Sequence, residues 1–260
     1  MDLNGKVALI TGASMGIGAA CARAFARRGC RLLLTARSAG ALDEICRSVA
    51  PVSATALPAD LSRPDAAGEL ADRALAVYRR VDVLVNNAGV GMYLSCWEAD
   101  PALVRHLMEV NWFAPQELIR RLVPAMRGNG GGMVVNVSSV AGKVALPWLT
   151  AYSASKAALN ALSDGLRMEL AGTGVGVLLV CPGFVNTGFP ERVLAGRIPE
   201  AVARRRPFAI TAEQCAEAIV EGVEKDKRTV VTPRAAWLLV GASRLAPRLV
   251  HASLARMRGA

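Results

Sequence analysis

Three side chains that could transfer a proton lie close together in the sequence: Ser139, Tyr152 and Lys156. If the residues from Tyr152 to Lys156 are helical, the phenol and the ammonium group share one helix face, because residues four apart are neighbours there. A nearby positive charge favours phenolate and lowers the pKa of a tyrosine from its usual value of about 10. The pair is therefore a candidate acid and base, although tyrosine and lysine also fall four apart by chance.

A glycine-rich turn lies between the first predicted strand and the first predicted helix. Its candidate ligand-binding residues are Gly12, Ser14, Met15, Gly16, Ile17 and Gly18. Glycines let the backbone turn tightly and approach a pyrophosphate, which can accept hydrogen bonds from the amides at the helix N-terminus. The first two glycines have three residues between them, whereas the common dinucleotide fingerprint has one. The turn is predicted to bind a dinucleotide; a turn that only packs the helix on the strand is the alternative.

The end of the second predicted strand distinguishes between two nicotinamide cofactors. In dinucleotide-binding folds, an acid about 20 residues beyond the glycines binds the ribose 2′-hydroxyl of NAD, and an arginine accommodates the 2′-phosphate of NADP. This chain has Arg37 there, and the next acid is Asp43. Because a guanidinium binds phosphate through charge and paired hydrogen bonds, NADP(H) is favoured over NAD(H). An ordinary surface arginine is the alternative, and Met15 adds no positive charge to the turn.

Short apolar segments alternate with longer amphipathic ones, which indicates a parallel sheet with helices on both faces. Strands are predicted near 6–11, 31–35, 55–59, 81–86, 132–138, 176–181 and 228–232, and helices near 16–29, 39–49, 64–79, 101–127, 151–172 and 212–224. Asp100-Pro101 and Thr211 with Gln214 have the form of helix N-caps. The predicted fold is α/β, with one doubly wound Rossmann-type domain over residues 1–232.

Two segments are predicted to lie outside the sheet. Residues 188–210 contain several prolines and follow the sixth strand, so they are predicted to form a lid over a ligand crevice. Residues 233–260 interleave apolar residues with arginines, which is typical of an amphipathic helix. Packing against a neighbouring subunit or the chain itself is favoured for this extension; peripheral contact with an anionic membrane and covering of the pocket are the alternatives.

The composition restricts other classes of function. The formal net charge is +10, but aromatic residues make up 5% of the 260 residues, too few for a surface that stacks single-stranded nucleic acid. Six scattered cysteines and two histidines do not form a disulfide framework or a metal motif. We therefore expect no nucleic-acid partner and no metal. Since no leader sequence is recognised, we expect a cytoplasmic protein.

Taken in order, these motifs resemble those of the short-chain dehydrogenase/reductase family over residues 5–232. They are the glycine turn, Asn86-Asn87-Ala88-Gly89, Ser139, Tyr152, Lys156 and Pro182-Gly183. The resemblance implies a single Rossmann-type domain with a seven-stranded parallel sheet. It also implies a nicotinamide cofactor and the interconversion of alcohols and carbonyl compounds.

The resemblance also implies roles for individual residues. Tyr152 matches the family's acid and base, Lys156 the residue that holds the nicotinamide ribose and lowers the tyrosine pKa, and Ser139 the donor to the substrate oxygen. Asn111 matches a fourth member, which would support a water that links Lys156 to solvent. The family's spacing of thirteen residues to the tyrosine selects Ser139 rather than Ser138, which is left as a structural residue.

Further residues match the family's cofactor contacts. Asp60, followed by Leu61, matches the aspartate that contacts adenine, although an ordinary turn residue is the alternative without the family. Asn87, with Ala88 and Gly89, matches the residue that steadies the central sheet beside the cofactor. The loop that holds the nicotinamide carboxamide is matched by Pro182, Gly183, Val185 and Thr187.

The segments that flank the site supply a largely apolar set of candidate substrate-binding residues. They are Tyr93, Leu94, Trp97, Leu146, Trp148, Phe184 and Phe189. The sequence therefore predicts an NADP(H)-dependent oxidoreductase for a hydrophobic alcohol and its ketone or aldehyde, assembled as a homodimer or homotetramer. A nucleotide-binding scaffold or redox-sensing regulator with little turnover is the alternative, but the complete set of four catalytic candidates argues against it.

Overall fold

The computed structural model describes residues 1–189, 193–198 and 209–256. Its seven main strands are β1 Val7–Thr11, β2 Arg31–Thr35, β3 Ala54–Ala56, β4 Val83–Asn86, β5 Gly132–Val137, β6 Val175–Pro182 and β9 Thr229–Thr232. They form one parallel sheet in the order β3-β2-β1-β4-β5-β6-β9. Two short strands, β7 Val185–Asn186 and β8 Ile210–Thr211, pair beside it. The predicted α/β fold with seven parallel strands is confirmed.

Helices connect the strands. They are α1 Gly16–Arg27, α2 Ala39–Ser48, α3 Ala66–Tyr78, α4 Pro101–Met108, α5 Ala114–Gly128, α6 Thr150–Glu169, α7 Ala212–Glu224, α8 Ala236–Leu245 and α9 Pro247–Ala255. Alternate residues of β1 point to opposite faces of the sheet: Ala8 and Ile10 pack in one core with Phe25, whereas Val7 and Leu9 pack in another. Because both faces are covered, the strands are apolar throughout rather than alternating.

Both predicted helix N-caps are confirmed. Asp100 accepts a hydrogen bond from the Ala102 amide at 2.7 Å, ahead of Pro101 in the first turn. Thr211 and Gln214 each accept a hydrogen bond from the other's backbone amide, at 3.1 and 2.9 Å. These side chains satisfy amides that a helix start leaves without intrahelical partners.

The prediction of one helix over 101–127 is wrong. A π-helical turn, Glu109–Phe113, separates α4 from α5. In a continuous α-helix the Asn111 carbonyl would accept a hydrogen bond from residue 115, but Pro115 has no amide hydrogen. Proline is compatible with the first turn of a new helix, where it lies in α5. The interruption therefore has a local cause in the sequence, and it falls at a candidate site residue.

The C-terminal extension forms two helices rather than one. Val240 of α8 is buried and packs with Val140, Leu179 and Val231, so the extension covers the carboxyl side of the sheet in its own chain. Of the predicted lid, residues 190–192 and 199–208 lie outside the described residues. Within the remainder, Gly196 bridges to Tyr93.

No helix in the part of the chain that the structure describes is long and apolar enough to cross a membrane.

The first turn of α1 packs tightly against the turns that follow β1 and β4. A Cβ atom added at Gly18 would lie 2.1 Å from the Gly12 oxygen and 2.6 Å from the side-chain nitrogen of Asn87. The chain runs from β1 towards one edge of the sheet and from β4 towards the other, so a crevice opens at their carboxyl ends. The absence of a side chain at Gly18 therefore allows α1 to start close to the ends of β1 and β4, at the edge of the crevice.

We expect Gly18→Ala to lower the free energy of unfolding by about 1–3 kcal/mol, the usual cost of overpacking. The matched control is Gly165→Ala inside α6, where an added Cβ meets nothing within 4 Å. It should stabilise the protein by up to about 1 kcal/mol, since alanine has the higher helix propensity. Chemical denaturation of both variants measures the difference. Equal stability of the two would contradict the packing assigned to Gly18.

Candidate active site

One cavity of about 930 Å³ lies at the carboxyl ends of the strands. The predicted cofactor residues that line it are Gly12, Ser14, Met15, Gly16, Ile17, Arg37, Asp60, Leu61, Asn87, Ala88, Gly89, Pro182, Gly183, Val185 and Thr187. Ser139, Tyr152 and Lys156 also line it. Gly18 and Asn111 do not, and both lie behind the lining. Residues far apart in the sequence thus share one space.

The glycine turn leaves room for a ligand beside the N-terminus of α1. Gly12 and Gly16 have positive φ angles of 64° and 52°, which other residues rarely adopt. A Cβ at Gly16 would come within 3.2 Å of the Thr187 side chain. The first turn of α1 contains no acidic residue. Free amides and the positive end of the helix dipole suit a pyrophosphate, so these residues fit a dinucleotide.

Asn87 and Thr11 connect this turn to the neighbouring strand. The Thr11 hydroxyl accepts hydrogen bonds from the amides of Asn87 and Ala88, both at 2.9 Å, and donates to the Val85 carbonyl. The Asn87 side chain donates to the Thr11 and Gly12 carbonyls, at 2.9 and 3.3 Å. The side chain of Asn87 therefore fixes the position of the glycine turn relative to β4.

Arg37 and Asp60 lie near each other at the edge of the cavity. Burial alone would raise the pKa of Asp60, but hydrogen bonds from Ser62 and the charge of Arg37 lower it below its ordinary value. Ser62 donates through its amide at 3.1 Å and its hydroxyl at 2.8 Å. Asp60 is therefore an ionised acceptor, while Arg37 is exposed and supplies the positive charge at this end.

The proposed acid and base lie at the other end of the cavity. Tyr152 and Lys156 are both buried, with 8% and 3% of their surface exposed. They follow each other by four residues in α6, as predicted. The Lys156 ammonium lies 5.8 Å from the centre of the Tyr152 ring and donates to the Val137 carbonyl at 3.0 Å. This hydrogen bond from Lys156 therefore connects α6 to the end of β5.

The expectation that Lys156 lowers the pKa of Tyr152 is wrong for this structure. Burial raises the pKa of Tyr152 above its ordinary range, and the hydrogen bond with Ser139 offsets only part of this effect. Burial also lowers the pKa of Lys156 to about 8. Desolvation penalises the charged form of each group, and none of the acids that the structure describes forms an ion pair with Lys156. Tyr152 is thus a protonated donor at neutral pH.

The two adjacent serines point in different directions, as their place at a strand end predicts. The Ser139 hydroxyl interacts with Tyr152, accepts from the Ala141 amide at 3.1 Å and donates to the Pro182 carbonyl at 3.4 Å. The Ser138 hydroxyl donates to the backbone carbonyl of Lys156 at 3.1 Å. Ser139 thus faces the reacting end of the cavity, and Ser138 holds α6 against β5.

Asn111 is fully buried in the π-helical turn, and its side chain forms hydrogen bonds with the backbone of Val90. Its side-chain oxygen accepts from the Val90 amide at 2.9 Å, and its nitrogen donates to the Val90 carbonyl and to the Ser155 hydroxyl, both at 3.0 Å. A Cβ at Gly89 would lie 3.2 Å from the Asn111 oxygen and 3.3 Å from the Lys156 nitrogen. The side chains of Asn111 and Lys156 therefore both pack against Gly89.

The structure brings most of the candidate substrate residues to the reacting end of the cavity. Those that line it are Tyr93, Leu146, Trp148, Phe184 and Phe189. The rings of Phe189 and Tyr152 are 5.8 Å apart. Leu94 and Trp97 are not among the lining residues, and Trp97 is 72% exposed. Trp148 has a φ of 62°, a rare conformation for a bulky residue.

Several residues that line or shape the cavity were missed by the sequence reasoning. Thr11 and Ser155 orient site residues, and His106 lines the cavity. From the C-terminal extension, Leu238, Leu239 and Leu254 line it as well. The position of Thr11, at the end of β1 just before the glycine turn, was an available signal. Covering of the pocket was one alternative for this extension, but no local pattern selected it.

Comparison with known proteins agrees with this arrangement. The sequence profile of the short chain dehydrogenase family matches residues 6–197. A dehydrogenase/reductase SDR family protein 7-like from Drosophila melanogaster is 38% identical over 201 residues, which span 75% of this chain and 62% of that relative's length.

Solved structures show the same fold. A short chain dehydrogenase/reductase from Burkholderia phymatum in complex with NAD has a TM-score of 0.87 at 30% identity and covers 96% of both chains. A metagenomic short-chain oxidoreductase in complex with NADP has a TM-score of 0.75 at 35% identity and covers 89% of this chain and 98% of its own. With its family profile, its parallel sheet and the converging Ser139, Tyr152 and Lys156, the chain belongs to the short-chain dehydrogenase/reductase family of oxidoreductases.

Proposed function

We propose that the protein is an NADP(H)-dependent oxidoreductase that interconverts a hydrophobic alcohol and its ketone or aldehyde. The observation that carries this proposal is the convergence of Ser139, Tyr152 and Lys156 in one largely apolar cavity whose far end holds Arg37. A retired scaffold would need none of these three groups to meet. The two ends together suit a phosphorylated dinucleotide and an apolar substrate.

In carbonyl reduction, the chain's own residues supply the acid and orient the substrate carbonyl. A bound nicotinamide supplies or accepts the hydride. When a substrate is bound, the Ser139 hydroxyl would rotate away from the Pro182 carbonyl. The Ser139 hydroxyl and the Tyr152 phenol then donate hydrogen bonds to the carbonyl oxygen, where negative charge grows as the carbonyl carbon is reduced. Tyr152 then gives its proton to that oxygen, and the alcohol forms. In oxidation, the phenolate of Tyr152 takes the proton back.

The walls around Tyr152 support a hydrophobic substrate. Phe189 packs on the Tyr152 ring, and Leu149, Leu239 and Leu254 add aliphatic surface to the same cavity. Such walls stabilise a substrate by removing its apolar surface from water, about 25 cal/mol for each Å². A strongly polar substrate would lose hydration there without gaining equivalent partners. A ketone or alcohol with an extended apolar chain therefore fits best.

The neighbourhood of Arg37 supports NADP(H). The residue is exposed at the cavity edge, where a 2′-phosphate would approach from solvent. It precedes α2, whose N-terminal amides and helix dipole also favour an anion. Solved relatives bind either cofactor: the Burkholderia phymatum enzyme is in complex with NAD and the metagenomic enzyme with NADP. The choice in this chain therefore depends on its own residues.

A homodimer or homotetramer is part of the same proposal. Phe113 and Met168 are large apolar residues on the outside of the π-helical turn and of α6, and they are 47% and 73% exposed. Exposed apolar side chains on neighbouring helices favour contact between copies of a chain. Light scattering of the purified protein measures the assembly.

We expect Tyr152→Phe to lower turnover of its best ketone by at least about a hundredfold, because the proton donor is lost. The assay uses a series of straight-chain and sugar-like ketones with NADPH, followed by nicotinamide absorbance. Affinity for NADPH should change by less than about twofold, since the phenyl ring remains. Tyr93→Phe, which removes another cavity hydroxyl, is the control and should cost less than about tenfold. Near-normal turnover of Tyr152→Phe would overturn the mechanism.

For Arg37→Ser, the KM for NADPH should rise by about tenfold, because an exposed charge-assisted contact to phosphate is lost. The KM for NADH should change by less than about twofold. Arg47→Ser, at an exposed position of α2, is the control and should alter neither value. Equal losses with both cofactors would exclude Arg37 as the phosphate-binding residue.

The pKa of Tyr152 sets the pH dependence. Because burial raises this pKa, the phenol is protonated below it, and only a small phenolate fraction exists near neutral pH. We expect kcat/KM for reduction to stay flat between about pH 6 and about pH 7.5, while that for oxidation rises by about tenfold per pH unit. Steady-state kinetics in both directions tests this. A fall of the reduction rate across that range would show a lowered tyrosine pKa instead.

A further inference from the structure

The outer side of α8 exposes large apolar side chains next to arginine. Trp237, Leu238 and Leu245 are 43%, 78% and 89% exposed, whereas Val240 is 1% exposed. At 100° per residue, Arg244 and these three exposed residues fall on one arc of about 120°, and Val240 lies beyond it. The helix is therefore apolar towards the protein and both apolar and basic towards the outside.

Helix α9 continues this outer surface. Val250 and Leu254 are half-buried and pack against the cluster that contains Val240. Leu249 is 74% exposed, and its neighbour Arg248 is exposed as well. We call the outward residues Trp237, Leu238, Arg244, Leu245, Arg248 and Leu249 the C-terminal face.

The charge of this region has one sign. Residues 233–256 contain Arg234, Arg244, Arg248 and Arg256 and no acid. Among the residues that the structure describes, no ion pair includes any of these four arginines. The other basic residues of helices are often paired, as Arg120 is with Glu117. The arginines of the C-terminal face thus remain available to an anionic partner.

We propose that the C-terminal face docks on the surface of an anionic phospholipid membrane. Exposed leucine and tryptophan can enter the boundary between headgroups and acyl chains, while arginines bind lipid phosphates. A second copy of this face fits less well, because a two-fold contact would bring the arginines of both copies together without acids. Nucleic acid would satisfy the arginines but not the leucines.

The cavity extends to the same two helices. Leu238 belongs to the C-terminal face and also lines the cavity, together with Leu239 and Leu254. The Lys143 ammonium lies 5.9 Å from the Trp237 ring, so α8 also contacts the segment that follows Ser139. A substrate that leaves the lipid beside α8 therefore meets the cavity wall directly. This delivery step rests on the proposed function, whereas docking itself does not.

The test is co-sedimentation of the full-length protein with vesicles. One set contains phosphatidylglycerol and phosphatidylcholine, and the other contains phosphatidylcholine alone. We expect binding to the anionic set, weakened by salt, and at least about tenfold weaker binding of Arg244→Glu/Arg248→Glu, since each arginine contributes about fivefold. Leu245→Glu/Leu249→Glu should be similarly weakened, because the apolar contact is lost.

The control is Arg47→Glu/Val77→Glu, which makes the same kinds of change at exposed positions of α2 and α3. It should bind vesicles like the unaltered protein. Failure of the unaltered protein to bind anionic vesicles would overturn the proposal, as would equal binding by all variants. If the leucine variant instead loses oligomer mass in light scattering and vesicle binding is absent, the face is a subunit contact.

Turnover of a soluble short-chain ketone, measured without vesicles, separates the two proposals. The leucine and arginine variants alter residues that do not line the cavity, so they should retain this activity. Vesicle binding without any turnover would reject the proposed function and leave docking intact. Turnover without vesicle binding would do the reverse.

Discussion

The hydrogen bonds between Thr11 and Asn87 are the constraint on which the rest of the site depends. They join the end of β1 to the end of β4, where the chain direction across the sheet divides. The side-chain amide of Asn87 also donates to the Gly12 carbonyl. A side chain at Gly18 would collide with both groups, and glycine has none. Because the side-chain nitrogen of Asn87 lies 2.9 Å from the Thr11 oxygen and 3.3 Å from the Gly12 oxygen, it fixes the position of the glycine turn relative to β4. Gly89, two residues beyond Asn87, then places Asn111 and Lys156.

Burial gives the reacting end its chemistry. Because both groups are buried, Lys156 holds its proton more weakly than a free lysine and Tyr152 holds its proton more strongly than a free tyrosine. The prediction of a lowered pKa for Tyr152 rested on the effect of the Lys156 charge on the phenol, which requires that the two groups face each other. In the structure the ammonium instead points to the Val137 carbonyl, and desolvation dominates. Such perturbed pKa values are typical of functional sites.

Much of the fold and of the site could be predicted because their signals are local. Apolar segments of five or six residues specify strands, and Thr211 with Gln214 specifies a helix start. Helical spacing indicated that Tyr152 and Lys156 share one face, and the resemblance to the family assigned their roles. The π-helical turn was not predicted, because the periodicity of 101–127 is continuous and a proline five residues after Val110 also suits a helix start. Leu94 and Trp97 were misplaced relative to the cavity because a loop and a 3₁₀ turn of three residues are too short to have a period that orients their side chains.

The C-terminal extension shows why a pattern of apolar and basic residues does not decide between partners. On its inward side, Val240 packs in a core with Val140 and Val231, and its outward side carries leucines that the fold does not bury. A helix that covered the cavity and had no other role would keep its outer face polar, because exposed leucine adds nothing to folding stability and favours aggregation. Both sides of α8 carry apolar residues, and the charged side chains beside the outer side are arginines. Helix α8 therefore lines the cavity on one side and carries the proposed lipid-binding face on the other.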